Sequence, residues 1–220
     1  MKYIIHSCDP RLWYVNEYLV PSMIAQGIPQ KDVIVWNDDE HQGCLRTYID
    51  SFRECARHKG GTWHLQDDVA VCRDFAKRTA EHDDGIVYGF FFRHYEERDL
   101  VIRDGPLPIK HAGYSFPCFR LPNDIAGEFV EWFLGDAQYR EQYREWVQRK
   151  KYADAFFRDF LRERYPDDNV YMMRPSVVEH VDWLIGGSTI NKWRDRICRA
   201  TYWEDEEIIE DLKRQLAHRS

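Results

Sequence analysis

From Tyr3 to Phe92 the chain alternates short β-branched or aromatic runs with apolar stripes at helical spacing, an order that leaves few folds open. Tyr3–Ile5 predicts a short strand, and Leu12–Gln26 carries a helical pattern that Gly27 ends. Asp32-Val33-Ile34-Val35-Trp36 predicts a second strand running into the polar loop Asn37-Asp38-Asp39. Leu45, Tyr48, Ile49, Phe52 and Ala56 form a helix-period stripe over Leu45–His58, stopped by Gly60-Gly61. Trp63–Leu65 is the next strand and Arg73–His82 the next helix. Gly85–Phe92 is a continuous apolar run, as expected of a strand covered on both faces. Strands separated by helices pair parallel and are covered by those helices, so the expected class is α/β, Rossmann-like, with a mainly parallel central sheet. Ligands of such sheets sit beyond the carboxyl ends of the strands. His6-Ser7, Asn37-Asp38-Asp39 and Gln66-Asp67-Asp68 all fall at such ends, and a shared crevice is expected there.

The second half is less regular. Positions 97–122 mix Gly, Pro and β-branched residues and predict a hairpin or extended arms. Asn123 reads as the N-cap of a helix through Phe133, followed by helical segments around 136–150 and 154–164. Pro166-Asp167-Asp168-Asn169 is a turn before the extended Val170–Met173, and Glu206–Ala217 is amphipathic. No repeat or linker divides the 220 residues, so one domain is expected. Its parts are a first half (1–95), a second half (96–205) and a C-terminal helix (206–220).

Composition narrows the partners. A formal net charge of −7 disfavours a general nucleic-acid binder, which shows a basic balance. No run approaches the ~20 apolar residues of a membrane span. Met1-Lys2-Tyr3-Ile4-Ile5-His6 turns polar too quickly for a signal peptide and reads as the first strand. The six cysteines contain no C-x-x-C pair, which excludes a zinc ribbon or thioredoxin motif, and reduced thiols in the cytoplasm are expected.

Two segments carry chemistry. Thr62-Trp63-His64-Leu65-Gln66-Asp67-Asp68-Val69 is a strand-like run ending on paired carboxylates. Mg²⁺ and Mn²⁺ prefer carboxylate oxygens, with substrate phosphates completing the shell, which makes Asp68 the candidate ligand. The other reading is an Asp-Asp turn; Asp38-Asp39, Asp83-Asp84 and Asp167-Asp168 repeat the dipeptide elsewhere. Far downstream, Pro175-Ser176-Val177-Val178-Glu179-His180 places a histidine after a short extended segment, followed by Gly186-Gly187-Ser188. A neutral imidazole is a good ligand for borderline metals, although most histidines are core or surface residues.

The segment Pro-Ser-Val-Val-Glu-His followed by Gly and Ser resembles the closing motif of GT-A-type glycosyltransferases, usually Pro-Ser-Leu-Val-x-His. Leu65-Gln66-Asp67-Asp68-Val69 resembles the x-Asp-Asp form of their metal motif. The resemblance extends to small prophage-type glycosyltransferase-like proteins and runs from Tyr3 to about Trp203. It implies a single GT-A-like domain with a nucleotide-binding half (1–95) and an acceptor-side half (96–205), Asp68 and His180 as ligands of Mn²⁺ or Mg²⁺, and Asp67 beside the sugar or ribose. Gln66 stands where the family often has an acidic residue. The nucleotide of a sugar donor, UDP by the family's habit, is then expected over the first strand ends near His6, Ser7, Asp38, Asp39 and Arg46. Asp154 occupies the place of the carboxylate that deprotonates an acceptor in inverting members. Lys192, Trp193, Arg194 and Arg196 are candidates to close over phosphates. The acceptor implied is a glycan, a protein or a modified base of phage DNA. Two other readings use the same residues: a GT-A-like protein that binds a nucleotide or partner without catalysis, and a metal-dependent nucleotidyl or phosphoryl transferase.

Overall fold

Strand β1 (Lys2–Ser7) lies one place in from an edge of the main sheet, with Ile4 and Ile5 fully buried. In this computed structural model residues 1–40, 43–90, 105–109, 117–135, 153–186 and 203–218 are described. β1 is flanked on both sides by parallel partners, β2 (Val33–Asn37) and β3 (Thr62–Gln66). After β3 the chain turns at Asp67-Asp68 into β4 (Val69–Val71), which leaves the main sheet. The remaining strands are β5 (Val87–Tyr88), β6 (Gly105–Pro108), β7 (Cys118–Leu121), β8 (Asn169–Met172) and β9 (Val178–His180).

The main sheet has the order β2-β1-β3-β7-β5-β8-β6. β1, β2, β3, β5 and β8 run one way, and β7 and β6 run against them. This is the mainly parallel α/β arrangement that the alternation of strands and helices predicts. A second sheet pairs β4 antiparallel with β9, matching Val69 to His180 and Val71 to Val178.

Helices cover both faces. A helical stretch follows β1 as α1 (Leu12–Tyr14), a π-helical turn (Val15–Leu19) and α2 (Val20–Ala25). The sequence predicts one uninterrupted helix here. Pro21 has no amide hydrogen for the Glu17 carbonyl, so the regular ladder breaks and the turns before it widen. The others are α3 (Cys44–Cys55), α4 (Phe75–Ala80), α5 (Asn123–Gly135), α6 (Ala153–Arg164) and α7 (Glu206–Ala217). Successive strand residues point to opposite faces, so the apolar residues divide into two cores. Phe119, Tyr88 and Met172 join Phe52, Phe129, Phe157 and Phe160 under α3, α5 and α6. Tyr3, Ile5, Trp63 and Leu65 pack on the other face with Val15, Leu19, Val178 and Leu212.

Two expectations change. The run Gly85–Phe92 forms only the two-residue β5, with Phe91 and Phe92 outside the described residues. Of the two forms expected for 97–122, the described residues show extended segments: β6 and β7 are not neighbours, since β5 and β8 lie between them, and so form no hairpin with each other. The segments 136–150 and 187–202, with Ser188, Lys192, Trp193, Arg194 and Arg196, lie outside the described residues.

Candidate functional site: a buried carboxylate–histidine cluster

The carboxyl ends of β1, β2 and β3 meet at one edge, where Ser7 lies opposite Asn37 and His6 opposite Gln66. The Asp38 amide donates to the Ser7 carbonyl at 2.9 Å. Asp67 and Asp68 emerge from the same edge as the turn between β3 and β4, and both are buried, at 7% and 6% exposure. The β4–β9 ladder sets His180 opposite Val69, and the Val181 amide donates to the Asp68 carbonyl at 2.8 Å. Residues from distant parts of the chain are thereby brought side by side.

The cluster has a directed geometry. His180 Nε2 lies 3.2 Å from Asp68 Oδ2, and His180 Nδ1 lies 3.2 Å from Asp182 Oδ1. The ligand atoms of Asp68, His180 and Asp182 all fall within 4.8 Å of one another. Asp67 is held differently: Oδ2 accepts from the Cys8 amide at 3.0 Å, and Oδ1 from Arg11 Nη1 at 3.0 Å. The same Arg11 nitrogen also donates to Asp68 Oδ2. Asp68 Oδ1 is buried without a hydrogen-bond partner among the described residues.

Burial and charge oppose each other here. Burial disfavours the imidazolium of His180, but Asp68 and then Asp182 outweigh it and raise its pKa to about 10. Burial likewise favours the neutral acid of Asp68, yet His180 and Arg11 hold its pKa well below the ordinary carboxylate range. Asp67 is pushed up, by burial and then by Asp68, against the pull of Arg11 and the Cys8 amide.

These residues fit a divalent cation. Asp67, Asp68 and Asp182 bring three negative charges and Arg11 one positive, leaving two negative charges when His180 is neutral. A divalent ion neutralises that remainder, and the partnerless Asp68 Oδ1 offers it a lone pair.

The other sequence-derived candidates are spread along the strand ends. His6 is buried, with its ring stacked on Tyr48 at 3.9 Å and Nε2 3.0 Å from His64 Nδ1. Ser7 is buried and its hydroxyl reaches the Cys8 carbonyl. Asp38 accepts from the Gly43 amide at 2.8 Å, and Asp39 is exposed. Arg46 pairs with Asp50 on its own helix, and Gln66 reaches the Tyr48 hydroxyl at 3.5 Å. Asp154 is the second residue of α6. Asp68 and His180 are thus brought together, whereas Arg46 and the Asp38–Asp39 loop make contacts outside the cluster.

Sequence reasoning passed over Arg11 and Asp182. A signal for Asp182 existed, since residues two apart on an extended chain share a face, and His180-Val181-Asp182 is such a pair. For Arg11 the only signal is its place just past the end of β1. Elsewhere, a cavity of about 350 Å³ is lined by Cys72, Arg78, Arg174 and Asp205, apart from the cluster. Polar chemistry, rather than cavity volume, marks the site.

No family model matches the chain, and no curated protein matches it by sequence. Among solved structures it is similar to protein A197 from STIV, with TM-score 0.44 and 14% identity over 82% of this chain and 85% of that one. It is also similar to S. aureus TarS 1–349, with TM-score 0.47 and 10% identity over 99% of this chain. The chain spans 64% of the length of that TarS structure. At identities this low, residue roles rest on this chain's own geometry.

Proposed function

We propose that the protein is a metal-dependent glycosyltransferase that moves a sugar from a nucleotide-sugar donor, a UDP-sugar, to an acceptor hydroxyl. The observation that carries this reading is the 3.2 Å approach of His180 Nε2 to Asp68 Oδ2, which joins the two motifs with GT-A resemblance in one buried cluster. Asp68 and His180 hold the ion, and an imidazole among carboxylates favours Mn²⁺ over the harder Mg²⁺. Asp182 faces the other ring nitrogen, where a carboxylate fixes the orientation of a ligating histidine. When bound, the ion supplies Lewis-acid stabilisation of the departing diphosphate. Asp38 and Asp39, beyond the end of β2, are the proposed acceptors for a uracil imide. Asp154 is the proposed base for the acceptor hydroxyl in an inverting transfer.

Thermal-shift measurements with UDP, GDP and CMP, each with and without Mn²⁺, test the reading. The expected result is stabilisation by UDP that depends on Mn²⁺, together with slow hydrolysis of a UDP-sugar. No response to any nucleotide in the presence of Mn²⁺ overturns it in favour of a non-catalytic role.

A further inference from the structure

Arg11 is 4% exposed, and its position beside the cluster calls for a physical role. Its Nη1 bridges Asp67 Oδ1 and Asp68 Oδ2, and the latter oxygen is also the one nearest His180 Nε2. Both aspartates have other anchors. The Cys8 amide holds Asp67 Oδ2, and the Val181 amide holds the Asp68 carbonyl. What the arginine adds to this frame is therefore mainly charge. Adjacent buried carboxylates repel each other, and a guanidinium between them relieves that repulsion.

We propose that Arg11 is a resident counter-ion of the Asp67–Asp68 pair, competing with the divalent cation for Asp68 and so setting the affinity of the site. The proposal rests on the reading that Asp68 and His180 hold an ion. Arg11 keeps the ion-free cluster folded, because a charge that cannot be deprotonated occupies the carboxylates until the ion arrives. It also keeps the ion's hold weak, because a fixed positive charge remains beside it. An anionic diphosphate restores the balance, so ion and donor are retained best together.

Isothermal titration of the metal-free full chain with Mn²⁺ alone tests this, using wild type, Arg11→Met, Asp67→Asn and the double variant. Removing a like charge next to the ion is expected to tighten Mn²⁺ binding by about ten-fold or more in Arg11→Met. Asp67→Asn is expected to weaken it, and the double variant, which loses one charge of each sign, to return within about three-fold of wild type. Should Arg11→Met fail to fold, the charge-balanced double variant is compared with Asp67→Asn, and the same tightening is expected. Wild-type binding with no tightening in either comparison overturns the counter-ion role and leaves the metal site standing. Binding by Arg11→Met and not by wild type is the limiting case in favour. Binding by none of the four chains overturns both readings.

Discussion

Acid should destabilise the protein well above the carboxylate range, through the His6–His64 pair beneath the strand ends. His6 Nε2 and His64 Nδ1 are 3.0 Å apart, and the His64 ring is stacked on Phe119 with Phe52 at its edge. The outer nitrogens, His6 Nδ1 and His64 Nε2, are buried without a hydrogen-bond partner among the described residues. A proton on either ring would be a buried, uncompensated charge. Burial accordingly lowers the pKa of His6 to about 3; burial, and then His6 itself, lowers that of His64 well below its ordinary value. A histidine whose folded pKa is depressed contributes its stability fully above the unfolded value of about 6.5, and loses it as pH falls toward the folded value. Between pH 7 and pH 5 the His6 ring thus costs about 2 kcal/mol, and His64 adds a loss of the same sign. His180 acts in the opposite sense. With its pKa raised to about 10, its stabilisation is complete below pH 6.5 and is lost from there up to 10. Moving from pH 7 to 5 therefore returns only about 1 kcal/mol. With the His64 loss added to that of His6, the net change exceeds about 1 kcal/mol, a sizeable part of the stability of an ordinary domain. Urea unfolding in metal-free buffer at pH 5, 6 and 7, followed by the fluorescence of the eight tryptophans, measures it directly. His64→Gln should remove the His64 share of the loss and so flatten the fall in stability between pH 7 and pH 5. Equal stability at pH 5 and 7, or an unchanged slope in His64→Gln, refutes the reasoning.

Two further outcomes are expected of the cluster. Asp68→Asn should abolish stabilisation by Mn²⁺, while Asp182→Ala should weaken Mn²⁺ binding about 10- to 100-fold, the usual cost of losing the carboxylate behind a ligating histidine; equal losses by titration calorimetry would make Asp182 a direct ligand instead. Because His180 must shed a proton held up to about pH 10, Mn²⁺ affinity should rise about ten-fold per pH unit between pH 7 and 9, with one proton released per ion. Titrations in buffers of different ionisation enthalpy read both quantities, and a flat profile would show that His180 does not ligate.

Much of the architecture was legible from periodicity. The helices α3 and α7, and strands β1 to β3, stand where their apolar patterns put them, because each buries one stripe or both faces against the same core. The failures share a cause. Gly85–Phe92 is an apolar run, but among its described residues, 85–90, only Val87 and Tyr88 stand in a ladder, and pairing depends on neighbours that a local pattern does not contain. In the site, Asp68 and His180 were visible because they stand in motifs. Arg11 was not: in Asp9-Pro10-Arg11 it reads as a solvated residue opening a helix, and only the distant Asp67 and Asp68 make its burial tolerable.

The pairing of β4 with β9 has a consequence for how this gene can drift. Side chains along a strand alternate between faces, so one residue added or lost in either short strand would turn His180 away from Asp68 while leaving every cluster residue in the sequence. Register in this ladder is thus more sensitive to changes of length than to substitutions. An indel there would take the cluster apart as surely as deletion of the histidine.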